Sequence, residues 1–118
     1  YVPAPDLADP DAFAARVFGD SMMPRYRPGD VVIFSPRAPV RSGDDAFVRF
    51  DDGTTTFKRV YFEPESDGTT RLRIEPRNPA YPSRIATESE IAGLYRALYR
   101  YEPLEDLPTP IEMRRDAG

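Results

Sequence analysis

The chain has 118 residues and a net charge of −4, from 16 basic and 20 acidic side chains. That length fits one domain, and that sign makes the chain a poor match for gripping nucleic acid through its phosphates. It contains no His, Cys or Trp, which excludes a Ser-His-Asp triad, a thiol nucleophile, the usual zinc ligands and any disulfide, and suits a reducing cytoplasm.

Fourteen prolines, spread from Pro3 to Pro110, disfavour long helices and favour short strands joined by turns. No apolar run approaches the ~18 residues of a membrane span, and no signal peptide is recognisable, so no membrane partner is expected. The chain opens at Tyr1, and a piece of a longer protein is expected.

Taken in order, residues 1–12 (YVPAPDLADPDA) read as an extended arm. Phe13 to Phe18 alternates as a strand does, and Gly19 to Pro24 breaks the pattern. Arg27-Pro28-Gly29-Asp30 carries Pro and Gly where a type II turn needs them, and Val31 to Ser35 follows as an apolar strand. Ala46 to Phe50 and Thr54 to Phe62, joined by Asp51-Asp52-Gly53, read as a β-hairpin. Glu65 to Gly68 turns into a strand at Leu72 to Glu75, and the loop EPRNPAYP follows. Glu90 to Tyr101 is ambiguous. Ile91, Leu94, Tyr95, Leu98 and Tyr101 would line a helix face, whereas Ile91, Gly93, Tyr95, Ala97, Tyr99 and Tyr101 would line a strand face. Gly93 and the three tyrosines lean toward strand. Residues 13–102 thus form the folded domain, and 103–118 read as a loose acidic, proline-containing tail.

Without imidazole or thiol, one surviving hydrolytic scheme is a serine activated by a neutral lysine. Lys58 is the one lysine; the other 15 basic residues are arginines. Strand alternation puts Thr54, Thr56, Lys58, Val60 and Phe62 on one face, and the apolar pair turns that face inward. A lysine there would be partly desolvated, which lowers its pKa, and Thr56 could hold the amine. Arginine could not substitute, because it keeps its proton. The simpler alternative is a solvated lysine guarding a hairpin edge. Among the serines, Ser21 has the most telling setting, just past an apolar strand that runs into Gly19. Such a turn exposes a hydroxyl and can aim backbone N–H groups at an oxyanion. Alternatively, Gly-Asp-Ser is an ordinary loop in which Asp20 or Ser21 caps a neighbour.

The order of these features resembles the LexA family of serine–lysine autoproteases, which includes phage CI-type repressors and UmuD-type proteins. The matching residues are Gly19-Asp20-Ser21-Met22 with Pro24, Pro28-Gly29-Asp30-Val31-Val32, and Thr56-Phe57-Lys58-Arg59-Val60. Leu72-Arg73-Ile74-Glu75-Pro76 with Asn78-Pro79 and Tyr81, and Ile91-Ala92-Gly93 through Tyr99, extend the match over roughly residues 13 to 101. The resemblance implies a mainly β, small-barrel, β-clip-like domain with short strands and proline-rich loops, and it makes the last element a strand.

It also implies a serine endopeptidase that cuts its own chain, with Ser21 as nucleophile and Lys58 as general base. The backbone N–H groups of Asp20 and Ser21 would form the oxyanion hole, with Gly19, Met22 and Thr56 in support. No cofactor or metal is implied. The implied partners are a second copy, joined in part through the closing strand, and a RecA-like co-protease filament. DNA would be engaged only through an N-terminal helix-turn-helix domain that this chain lacks. The sequence departs from the family pattern at one point: no Ala-Gly or Cys-Gly bond precedes Ser21, and Ala92-Gly93 and Ala117-Gly118 lie after it. Two other readings stay open, a catalytically idle dimerisation or sensor module and a signal-peptidase-like hydrolase.

Overall fold

Apolar alternation between proline- and glycine-marked turns yields eight strands in the computed structural model of the protein, which describes residues 2–3 and 9–104. They are β1 (Val2–Pro3), β2 (Phe13–Arg16), β3 (Val31–Ser35), β4 (Asp44–Phe50), β5 (Thr55–Pro64), β6 (Thr70–Glu75), β7 (Arg84–Thr87) and β8 (Ile91–Tyr101). A single 3-10 turn, Glu88–Glu90, separates β7 from β8, and the described residues contain no α-helix. Every pairing is antiparallel, in one sheet of order β1-β2-β3-β8-β4-β5-β6-β7. The mainly β architecture expected from the sequence is what forms.

The expected hairpin is β4–β5, with Phe47 opposite Phe57 and Ala46 opposite Lys58. Its turn is closed by the Phe50 N–H on the Thr54 carbonyl (2.8 Å) and the Gly53 N–H on the Phe50 carbonyl (3.0 Å). At 27–30 the Asp30 N–H reaches the Arg27 carbonyl at 3.0 Å and Gly29 takes φ +96°, the left-handed position that a type II turn reserves for glycine. β2 ends at Arg16, two residues before the alternation does. Beyond it Val17 bonds the turn itself, through its N–H to Asp30 (2.8 Å) and its carbonyl to Gly29 (2.9 Å). The ambiguous last element is a strand, with Gly93, Tyr95, Ala97 and Tyr101 within it.

β4 separates two cores because consecutive side chains of a strand point to opposite faces. Ala46, Val48 and Phe50 pack with Val60, Leu72, Ile74 and Ala86. Phe47, from the other face, packs with Ala15, Val17, Met22, Tyr26, Val32 and Phe34. That second core is aromatic, with Phe13, Phe34, Phe47, Phe57, Tyr26 and Tyr95 meeting at centroid distances of 4.7–5.8 Å. β8 spans the molecule: its N-terminal half pairs with β4 and its C-terminal half with β3.

The arm is partly integrated into the sheet. Val2 and Pro3 pair with Ala14 and Phe13, and the Asp9 carboxylate accepts the hydroxyl of buried Ser35. β7 lacked a clear sequence signal, since only Ala86 of its four residues is buried. Most of the tail expected at 103–118 lies outside the described residues.

Candidate active site

Ser21 sits on the irregular segment between β2 and β3. Gly19 opens this segment at φ +69°, in the left-handed region, so the chain turns off the strand directly before the serine. Two bonds then tighten the segment: the Met23 N–H donates to the Asp20 carbonyl (3.1 Å) and the Tyr26 N–H to the Met22 carbonyl (3.0 Å). Met22 is 1% exposed among the aromatic core, which pins the backbone beside Ser21 from below.

Lys58 comes from β5. Its Nζ stands 3.1 Å from Ser21 Oγ, 2.8 Å from Thr56 Oγ1 and 3.2 Å from the Phe57 carbonyl oxygen. Thr56 and Lys58 share a strand face, so the strand itself sets one hydroxyl beside the amine. Among the described residues Lys58 makes no ion pair, and burial alone pushes its pKa below the usual lysine value. No other serine of the described residues bonds it. Ser35 is buried on Asp9, and the Ser42 hydroxyl accepts the Phe62 N–H at 3.0 Å.

The pair lines one side of a cavity of about 100 Å³. Val17, Phe34, Phe47 and Phe57 supply its apolar wall, and Phe18, 44% exposed, stands at its lip. The arrangement offers a hydroxyl, an adjacent amine held away from counter-charges, and an apolar recess beside both. Such a set can transfer a proton from the hydroxyl and bring it to an electrophile.

Sequence reasoning missed how the serine segment is held from outside. The loop after β6 reaches it at three points. The Asn78 N–H donates to the Ser21 carbonyl (2.9 Å), Asn78 Nδ2 donates to the Asp20 carbonyl (3.0 Å), and the Tyr81 hydroxyl donates to the Asp20 carboxylate. The N–H groups of Asp20 and Ser21 donate to no acceptor among the described residues. Next to Asn78, Arg77 grips Asp45 of β4 through two bonds (2.8 and 3.0 Å), and the Tyr26 hydroxyl donates to the same carboxylate at 2.8 Å. Burial and the neighbouring Asp45 charge push the Tyr26 pKa up to about 12. The available signal was Asp45 itself, an acid at the head of an apolar strand, since such a residue needs a buried partner.

Of the six residues singled out from the sequence, Ser21, Met22, Thr56 and Lys58 line one cavity, and Gly19 and Asp20 precede Ser21 on its segment.

Comparison with known proteins matches residues 1–95 to the Peptidase S24-like family. A prophage repressor, CohE, of Escherichia coli (strain K12) is 40% identical over 81 residues, covering 68% of this chain and 34% of its own. A LexA repressor of Citrifermentans bemidjiense is 35% identical over 101 residues, 78% of this chain and 47% of its own. Repressor protein C of Rhizobium phage 16-3 is 40% identical over 60 residues, 45% of this chain and 23% of its own. The chain thus spans less than half the length of these curated relatives.

Proposed function

The chain belongs to the Peptidase S24-like family, and from that premise we propose that it is the self-cleaving peptidase and dimerisation domain of a LexA- or CI-like repressor. One observation carries the reading: Lys58 Nζ lies 3.1 Å from Ser21 Oγ, partly desolvated and without a counter-ion among the described residues.

A protonated lysine has three N–H donors and a neutral one has two plus a lone pair. The Phe57 carbonyl can only accept, and the Thr56 hydroxyl accepts readily, so these two take the N–H groups of the neutral amine. The lone pair is then left to Ser21. Desolvation favours that neutral form because it penalises the ammonium.

In the proposed reaction Lys58 accepts the hydroxyl proton as Ser21 Oγ bonds to the scissile carbonyl carbon. The resulting oxyanion is met by the N–H groups of Asp20 and Ser21. Collapse breaks the C–N bond, Lys58 returns the proton to the leaving amine, and water hydrolyses the ester to regenerate the hydroxyl. Met22 and Gly19 fix the turn, and Thr56 orients the amine.

Second-copy association is supported by β8, whose C-terminal half exposes Leu98, Tyr99 and Tyr101. Operator DNA would be bound by a part of the protein outside this chain, with a RecA-like filament as the stimulating partner and the cytoplasm as the compartment. Among the described residues no helix is long and apolar enough to cross a membrane.

The test is a serine-reactive fluorophosphonate followed by peptide mapping. The reading expects one adduct, on Ser21, lost in Lys58→Ala. An adduct elsewhere, or equal labelling of Lys58→Ala, refutes the dyad. Absence of any adduct with retained dimerisation favours an idle module.

A further inference from the structure

In a planar trans peptide the C=O and the N–H of one unit point in opposite directions. The Asp20 carbonyl and the Ser21 N–H belong to one such unit, so whatever holds the first aims the second. Asn78 Nδ2 holds the Asp20 carbonyl from the loop after β6, at 3.0 Å, and the Asn78 N–H holds the Ser21 carbonyl at 2.9 Å. Ser21 and Lys58 line the cavity, whereas Asn78 does not. The grip therefore comes from outside the cavity and turns the Ser21 N–H away from that loop.

Asn78 is itself fixed. Its Oδ1 accepts the Ala80 N–H at 3.0 Å, which sets the amide so that Nδ2 faces Asp20. The preceding residue, Arg77, is bound at two points to buried Asp45. The Tyr81 hydroxyl adds a bond to the Asp20 carboxylate. The tie thus runs from β4, through Asp45, Arg77 and Asn78, to the peptide that precedes the nucleophile.

We propose that Asn78 is a positioning residue for the peptidase reaction, acting through the 20–21 peptide to hold the Ser21 N–H where the oxyanion develops, with Asp45–Arg77 as its anchor. This rests on the Ser21–Lys58 reading above. Asn78→Asp is the discriminating variant. It keeps the shape and the acceptor for Ala80 but replaces the side-chain donor to the Asp20 carbonyl with an oxygen that repels it. The Met23 N–H still reaches the Asp20 carbonyl, so the loss is smaller than that of deleting an oxyanion donor outright, which costs about 100- to 1000-fold.

The experiment is the concentration dependence of fluorophosphonate inactivation, measured across pH on the wild-type chain and Asn78→Asp. A displaced oxyanion donor lowers the maximal inactivation rate by roughly tenfold or more. It leaves the half-saturating probe concentration unmoved, and because the new carboxylate also favours protonated Lys58, the rates compared are those on the alkaline plateau. An unchanged maximal rate overturns the proposal. So does a rise in half-saturation that matches the fall in rate, since that marks a generally loosened site. If Asn78→Asp does not fold, Asn78→Ala removes the Nδ2 bond to the Asp20 carbonyl without adding a charge; the same split is expected, and its absence overturns the proposal. A wild-type chain unlabelled at Ser21 fails the dyad reading first and the clamp with it. Labelled wild type with an indifferent Asn78→Asp fails the clamp alone.

Discussion

Asp45→Ala removes the carboxylate that Tyr26, Arg77 and Arg25 share. Tyr26 is 5% exposed, so its hydroxyl is left without an acceptor and with little access to water, at a cost of about 1–3 kcal/mol. Arg77 loses two bonds, but its side chain is 21% exposed and can partly rehydrate, which holds its share to about 1 kcal/mol. Arg25 is 62% exposed at 3.7 Å and adds next to nothing. The sum is about 3 kcal/mol, which in a domain near 100 residues lowers Tm by roughly 12–24 °C. Asp45→Asn keeps an oxygen for Tyr26 and should lose about half as much. Urea unfolding at neutral pH reads both variants. A loss below about 0.5 kcal/mol for Asp45→Ala, or equal losses for Ala and Asn, refutes the reasoning that a buried shared acceptor braces this side of the domain.

Lys58 gives a signed pH prediction. Burial lowers its pKa below 10.5, so the folded chain releases this proton earlier than the unfolded one. Stability should therefore rise with pH across that interval, and inactivation by the serine probe should reach half its maximum below pH 10.5. Lys58→Met should flatten the stability limb, and Lys58→Arg should abolish labelling at every pH; a labelled Arg variant would refute the base role. Tyr26 titrates with the opposite sign. Its hydroxyl stays protonated in the fold to about 12 against 10.0 when free, so stability should fall as pH climbs through that window, and Tyr26→Phe should remove the fall. Met22→Ala, which empties a fully buried site beneath the serine segment, should cost about 2–5 kcal/mol in urea unfolding. A cost below about 1 kcal/mol would mean that the segment does not depend on that contact.

Much of the site was legible because it rests on local rules. Strand alternation set Thr56 and Lys58 on one face, and Gly19 marked the turn that presents Ser21. Elimination by composition left the lone lysine as the available base. Periodicity left β8 open between helix and strand, and Gly93 with the tyrosines leaned it to strand; in the fold Tyr95 lies directly over Gly93 on the same strand face, in space that a Cβ would need. What was not legible depends on partners distant in sequence. Asn78 reaches Asp20 across 58 residues and Arg77 reaches Asp45 across 32, and neither contact leaves a periodic trace. β7 was hidden for a related reason. It is a short end strand with one buried residue, held by its pairing with β6 rather than by an apolar pattern of its own.

The proposed reaction requires Ser21 and Lys58 together to cleave a peptide bond. Its most direct test is to express the full-length protein and its Ser21→Ala and Lys58→Ala variants, and to follow the intact chain at mildly alkaline pH by mass spectrometry. Two complementary fragments are expected from the wild type and an intact chain from each variant. The same fragments appearing at the same rate from either variant would contradict the proposed reaction.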